Sequence, residues 1–334
     1  MFIGDILNIG NGKDYKLLNP GCIPVFGTGG YMLSVDNFLY DGESVLIGRK
    51  GTINKPFYYS GKFWTVDTLF YTHSFNEVLP KFVYGLFQNI NWNLYNEASG
   101  VPSLSKSTIE KIRCNIPTIK EQSKIANLLF LLDRRIETQN KIIEDLKKLK
   151  VAISNKLFEL SNQVEYKISD IAQISRGRVI STLEISKQEC PTYPVYSSQT
   201  SNNGIMGYLD TYDFEGEYIT WTTDGANAGT VFYRNGKFNC TNVCGVLKVN
   251  DNIDAYYLSI VLQSATAKYV STNLANPKLM NNTMSSIKVK LPSLPVQRNW
   301  SNTLREIDAK IENEILASNL LCIQKQYLLQ QMFI

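Results

Sequence analysis

Residues about 175 positions apart repeat one another along much of this chain. Phe57-Tyr58 returns as Phe232-Tyr233, and Gly61-Lys62-Phe63 as Gly236-Lys237-Phe238. Pro102, Ile112, Pro117 and Gln122 map onto Pro277, Ile287, Pro292 and Gln297. Asp133, Ile136, Glu137 and Phe158 map onto Asp308, Ile311, Glu312 and Phe333. Nearer the N-terminus the match loosens: Gly4-Asp5-Ile6 resembles Ser169-Asp170-Ile171, and Gly42-Glu43 aligns with Gly216-Glu217 at an offset of 174. A repeat this regular means one plan built twice, and 334 residues suit two domains better than one.

Each copy has two zones. The first, residues 1–117 and 164–292, is rich in Gly, Asn, Thr and aromatics, with short β-type runs between turn signals. Turns are expected at Tyr40–Glu43, before a strand Ser44–Ile47, and at Asp213–Gly216, before Glu217–Trp221. Hairpins are expected to reverse at Ser60-Gly61 and Asn235-Gly236. Helical stretches follow near 79–90 and 255–270, so both zones read as α+β domains.

The second zone, about 119–160 and 294–334, follows Pro117 and Pro292. In the first copy Ile125, Leu129, Leu132, Ile136, Gln139, Ile143, Leu146, Lys150, Ile153 and Leu157 step by four and three, a heptad seam with polar breaks at Gln139 and Lys150. In the second, Trp300, Leu304, Ile307, Ile311, Leu321, Leu328 and Met332 hold the same places, interrupted by Glu314, Ser318 and Lys325. Helices of about 40 residues are about 60 Å long, more than a compact domain needs. Pairing them covers both seams. The expected organisation is therefore domain 1–117, helix 118–163, domain 164–292 and helix 293–334, with the helices packed as an antiparallel coiled coil.

Composition narrows the chemistry. The single histidine, His73, and the lone Cys240-x3-Cys244 pair supply too few ligands for a Cys/His zinc site and read as structural. The six cysteines are scattered, as reduced thiols would be. No apolar run reaches the length of a membrane span, and the N-terminal residues lack a secretory pattern, so a cytoplasmic location is expected. Net charge is only +4, less than a chain gripping a long phosphate track by charge alone would carry. Phe26-Gly27-Thr28-Gly29-Gly30 follows an apolar strand, but no acidic residue stands at the ribose-contacting distance after a helix. The tetrapeptide of amino-methylating enzymes and the P-loop are missing, and Asp145-Leu146-Lys147 lies inside the heptad helix. No catalytic constellation is expected in this chain.

Several segments resemble the specificity subunits of type I restriction-modification systems, over essentially the whole length. In the first copy these are Leu46-Ile47-Gly48-Arg49-Lys50-Gly51-Thr52-Ile53, Gly100-Val101-Pro102-Ser103-Leu104 and the run from Ile116-Pro117 through Glu121-Gln122 to Ile136-Glu137. In the second they are Ile219–Gly229 and Cys240-Thr241-Asn242. The Pro-x-x-x-Glu-Gln lead into a long helix occurs twice, with Val296 in place of the second Glu. The resemblance implies two target-recognition domains, each reading one half of a split, asymmetric double-stranded DNA site. The helices would hold the domains a fixed distance apart, bracketing one turn of DNA of about 34–36 Å, and dock two methyltransferase subunits. It also implies adenine methylation directed by this chain. No cofactor is expected here: S-adenosylmethionine would sit in the methyltransferase subunit, and ATP with Mg in a restriction subunit where one joins.

Base readers must present donor and acceptor pairs from stiff loops. In the first domain Arg49, Lys50, Thr52 and Lys55 are the candidates, Arg49 toward guanine; a solvated turn with phosphate contacts competes for Lys50 and Lys55. In the second, Thr222, Thr223, Asp224 and Asn227 occupy the aligned loop, with Asp224 either accepting from a cytosine amine or shaping the turn. Ser198, Gln199 and Asn203 form a second candidate loop, suited to adenine, and Arg176 and Arg178 are candidates for phosphate. Two other readings compete: a methyltransferase with a degenerate cofactor loop at Gly27–Gly30, and a coiled-coil scaffold that does not read DNA.

Overall fold

The computed structural model describes residues 1–157, 162–271 and 276–333. Phe158 and the expected helix ends at 158–160 and 334 lie outside the described residues. The first copy runs α1 (Ile3–Ile6), β1 (Asn8–Asn11), β2 (Pro20–Gly27), β3 (Gly30–Val35), β4 (Tyr40–Gly48), β5 (Phe57–Thr65), β6 (Leu69–His73), α2 (Pro80–Asn89), α3 (Lys106–Glu110) and the long α4 (Ile119–Leu157). The second runs β7 (Val164–Lys167), α5 (Ile168–Ile171), β8 (Ala172–Arg176), α6 (Thr182–Ser186), β9 (Tyr193–Tyr196), β10 (Ile205–Leu209), β11 (Phe214–Thr222), β12 (Val231–Cys240), β13 (Cys244–Val249), α7 (Ala255–Ala265), α8 (Asn281–Ser286), β14 (Lys288–Leu291) and the long α9 (Leu294–Met332).

Two compact units result. Unit 1 comprises Met1–Ile143 with Asn313–Ile334, and unit 2 comprises Glu144–Glu312, so each long helix contributes to both units. Unit 1 carries a six-stranded sheet in the order β1-β6-β4-β5-β2-β3. Unit 2 carries the same order from its own strands, β8-β13-β11-β12-β9-β10. In both, one pair is parallel, β2 with β5 and β9 with β12, and the rest are antiparallel. The repeat seen in the residues is a repeat of topology.

Four of the expected turns are strand. β4 already begins at Tyr40, and β11 covers Phe214–Thr222. β5 and β12 run straight through Ser60-Gly61 and Asn235-Gly236. Gly61 pairs with Gly42 and Gly236 with Gly216, and all four have positive φ. Glycine thus bends two paired strands together instead of reversing one of them.

Within each unit a buried glutamine ties the long helix to the sheet domain. In unit 1, Leu79 N–H donates to Gln122 Oε1 at 2.8 Å, while Gln122 Nε2 donates to Glu77 O at 3.0 Å and Pro117 O at 2.9 Å. In unit 2, Asp254 N–H donates to Gln297 Oε1 at 2.9 Å and Gln297 Nε2 to Pro292 O at 2.8 Å. The helix start in unit 1 is closed by a capping box between Thr118 and Glu121. Val296 removes that carboxylate from the second copy. The Pro-x-x-x-Glu-Gln signature is therefore a cap followed by an anchor.

All ten predicted seam positions of α4, and all ten equivalents in α9, are buried or half-buried. In unit 1 the seam includes Ile125, Leu129, Leu132, Ile136 and Ile143 on α4, with Leu321 and Leu328 on α9. Its polar breaks find partners across the two helices: Gln139 meets Glu314, while Lys325 pairs with Asp133 and Ser318 with Asn140 at 2.9 Å, both beside the seam. Rising numbers on α4 meet falling numbers on α9, so the halves run antiparallel. In unit 2, Ile153, Leu157, Leu304 and Ile307 join one core cluster, Leu146 is half-buried and Ile311 buried. There Lys150 bonds both Asp308 oxygens at 2.6 and 2.7 Å. Asp133–Lys325 and Asp308–Lys150 are the same pair, displaced by the repeat and with its halves exchanged.

A second exchange lies beside it. In unit 1 Lys81 on α2 stands 4.6 Å from the Phe130 ring centre on α4. In unit 2 the equivalent positions are reversed: Arg305 on α9 lies 4.7 Å from the Tyr256 ring centre on α7. Either arrangement places a cation on an aromatic face, so each unit keeps the contact while swapping its donors.

Candidate functional site

The chain leaves β4 at Gly48 into Arg49-Lys50-Gly51-Thr52, and leaves β11 at Thr222 into Thr223-Asp224-Gly225-Ala226. Both loops are stitched to a second segment by the same bonds. In unit 1, Gly51 N–H donates to Pro102 O and Leu104 N–H to Arg49 O, both at 2.8 Å. In unit 2, Gly225 N–H donates to Pro277 O at 3.1 Å and Leu279 N–H to Thr223 O at 3.0 Å. Gly51 and Gly225 have φ of +99° and +95°, a turn that favours glycine. The segment Gly100–Leu104 singled out in the sequence is thus the clamp for the first loop.

The side chains on these matching scaffolds differ. Arg49, Lys50, Thr52 and Lys55 are all exposed. Arg49 Cζ stands 5.8 Å from the buried Phe70 ring centre, which gives the guanidinium a platform. In unit 2 the place of Lys50 is taken by Asp224, half-buried, whose Oδ1 accepts from Asn276 Nδ2 at 2.6 Å and Gly225 N–H at 3.1 Å. A cationic loop is matched by one with a single carboxylate.

Unit 2 brings its two candidate loops together. Asn227 Nδ2 donates to Thr200 Oγ1 at 3.2 Å, and Ser198, Gln199, Asp224, Asn227 and the exposed Asn242 line one cleft of about 470 Å³. Asn203 is exposed at the tip between β9 and β10. Thr222 and Thr223 need correction, being only 1% and 2% exposed. Their hydroxyls serve the loop itself: Thr222 Oγ1 donates to Asn227 O, and Thr223 Oγ1 to Val243 O at 3.0 Å. They shape the turn and present nothing outward. Arg178 is exposed, and its guanidinium is shared between Glu184 at 2.7 Å and Asp213 at 3.1 Å. Arg176 is exposed on β8, the edge strand farthest from β10, and donates to Asn281 Oδ1 at 3.0 Å.

The glycine loop Gly27–Gly30 is a tight connection between antiparallel β2 and β3, with no helix after it. It flanks the first candidate loop: a Cβ on Gly51 would lie 3.6 Å from Thr28 Oγ1. Thr28, named in the sequence only as part of a possible cofactor loop, is half-buried on this hairpin, and Tyr31 and Met32 beside it are exposed. His73 ends β6, stacks beside Tyr40 and Tyr71, and is held below the usual histidine range by burial and then by Lys106. Cys240 and Cys244 are buried in an apolar cluster with Phe238 and Val246. Among the described residues no three His, Cys, Asp or Glu side chains group as metal ligands. No described helix is long and apolar enough to cross a membrane.

Comparison with known proteins places this geometry. The family model for the type I restriction modification DNA specificity domain matches residues 1–148 and again 161–318. A type I specificity subunit N-terminus of Mycoplasma pneumoniae is 50% identical over 140 residues, 42% of this chain and 74% of that protein. A type I specificity subunit of the same organism is 38% identical over 198 residues, 58% of this chain and 82% of that one. The crystal structure of a type I restriction-modification S subunit from M. genitalium superposes with a TM-score of 0.77 at 18% identity, covering 100% of this chain and 95% of that one, a likeness of fold. With two matched domains on one repeated scaffold, the chain belongs to the DNA-specificity subunits of type I restriction-modification systems.

Proposed function

We propose that this specificity subunit reads a split, asymmetric DNA site, one half with each unit, and that partner methyltransferase subunits modify adenines within it. The observation that carries this reading is the twice-built loop. The same backbone stitching at Gly51 and Gly225 presents Arg49, Lys50, Thr52 and Lys55 in one unit and Asp224 and Asn227 in the other, where the β9–β10 connection adds Ser198, Gln199 and Asn203. Arginine presents a donor fork suited to guanine O6 and N7. A carboxylate accepts from the exocyclic amine of cytosine, and Asn or Gln pairs bidentately with adenine. The two halves of the site would therefore differ in base content, with guanine in the first and amine-bearing bases in the second.

In this reading the chain itself performs no bond chemistry. S-adenosylmethionine would be held by the methyltransferase subunits, two of which would dock on the long helices; ATP and Mg would belong to a restriction subunit. The weak overall charge suits a subunit whose partners add phosphate contacts. The Gly27–Gly30 loop joins two antiparallel strands and lacks the strand–loop–helix setting of a Gly-rich cofactor loop, which disfavours the methyltransferase reading. The test is to combine the chain with its cognate methyltransferase subunits and map methylated adenines across a genome. One split motif is the expected result; an unsplit motif, or methylation without sequence preference, contradicts the reading.

A further inference from the structure

Arg234 on β12 is only 3% exposed. Its Cζ lies 3.6 Å from the Tyr196 ring centre and 4.4 Å from that of Phe232, a guanidinium held by two aromatic faces. Nε donates to Thr220 Oγ1 at 3.2 Å, and Nη2 donates to the Asn203 backbone oxygen at 2.9 Å. The titratable groups that act on it are Tyr196, Cys244 and Cys240 rather than a carboxylate. Burying a cation this way is costly unless its donors are used, which calls for a reason. In unit 1 the equivalent position is Tyr59, packed on Phe26 and Phe63 with no charge at all.

The reason lies in what the guanidinium holds. The connection from β9 to β10 carries Ser198, Gln199 and Asn203, and unit 1 has only Thr28-Gly29 in its place. Three consecutive residues there are left-handed: Asn202 at φ 49°, Asn203 at φ 52° and Gly204 at φ 80°. Two non-glycine residues in that region store strain that persists only where neighbours hold it. Ser197 N–H closes the neck of the loop on Gly204 O at 2.9 Å, and Arg234 takes the adjacent carbonyl.

We propose that Arg234 is a positioning residue for specificity: clamped between Tyr196 and Phe232, it locks the left-handed turn at Asn202–Gly204 and so aims Ser198, Gln199 and Asn203 at the second half-site. The proposal rests on the reading of unit 2 as a base-reading module. Its test uses the full chain carrying Arg234→Met, which keeps the apolar stem and removes the donors, beside Arg234→Lys. Hydrogen exchange of the isolated chain should show amides 198–204 losing protection roughly tenfold or more, the scale of one lost charge-assisted bond, with β11 and β13 unchanged. Combined with the methyltransferase subunits, the variant should relax base preference in the second half of the motif and leave the first half intact, with lysine restoring part of it. Unchanged protection in the loop overturns the proposal. So does a loosened loop with an unaltered motif, or equal loss of both halves. Should the methionine variant fail to fold, the lysine variant decides by the same two readouts. If the unaltered chain yields no split motif, the proposed function fails, while hydrogen exchange still judges the lock.

Discussion

Replacing Gln122 by leucine removes an anchor whose bonds are all internal. The side chain is fully buried, and the substitution preserves most of its volume while deleting one acceptor and two donor bonds. Three backbone groups lose their partner: the Leu79 N–H at the start of α2 and the carbonyls of Glu77 and Pro117. A buried polar group left unsatisfied costs about 1–3 kcal/mol. Glu77 is exposed, so its carbonyl rehydrates, which leaves two groups and a loss of about 3 kcal/mol. With a urea m-value of about 1–3 kcal/mol/M, the midpoint should fall by about 1 M or more. Trp64 and Trp92 belong to unit 1, so their fluorescence in a Trp221→Phe/Trp300→Phe background reports that unit. Gln122→Glu should be worse near neutral pH, because a carboxylate would then face two carbonyl oxygens. It should recover as the pH is lowered and the carboxyl takes up a proton. A leucine variant within about 0.3 M of the parent would refute the anchor, since it corresponds to less than one unsatisfied group.

The exchanged ion pairs should couple. In a double-mutant cycle of Lys150→Met and Asp308→Asn, the pair should show about 1–2 kcal/mol of interaction energy, and Asp133 with Lys325, the less exposed pair, at least as much; additive effects would contradict the pairing. Alkaline stability follows from buried phenols. Burial pushes Tyr84, Tyr233 and Tyr257 up to about 12, with Asp133 adding to the first and the Glu217 hydrogen bond to the second, and Tyr58 and Tyr256 move in the same direction. Unfolded tyrosines ionise near pH 10 while these stay neutral in the fold, so stability is fully present below about pH 10 and falls as pH rises toward 12. Absorbance at 295 nm should show these phenols titrating late or together with unfolding. All nineteen tyrosines ionising near pH 10 with the fold intact would contradict this.

What could be read from residues alone was whatever local order encodes. The heptad seam is periodic, and every predicted position is buried or half-buried because periodicity fixes a helix face. The partners of its polar breaks are not local: that Lys325 answers Asp133 emerges only when α9 lies antiparallel to α4. The Ser-Gly and Asn-Gly signals misled because glycine with positive φ serves a hairpin turn and a paired strand bend equally well. Thr222 and Thr223 look like loop residues by composition, yet cross-strand neighbours bury them. Arg234 precedes Asn-Gly and so resembles a solvated turn charge; only the sheet places Tyr196 and Phe232 on either side of it. The scaffold of the candidate loops was legible as a repeated motif. Their outward side chains were not, since exposure is set by contacts far along the chain.

The central claim is that each unit reads its own half-site, and one exchange tests it directly. Residues 1–117 are replaced by the same segment of another specificity subunit, and methylated adenines are mapped with the same methyltransferase subunits present. The account predicts a split motif in which the half read by unit 1 changes and the other half and the gap stay as they were. A change in both halves, or in neither, would contradict it.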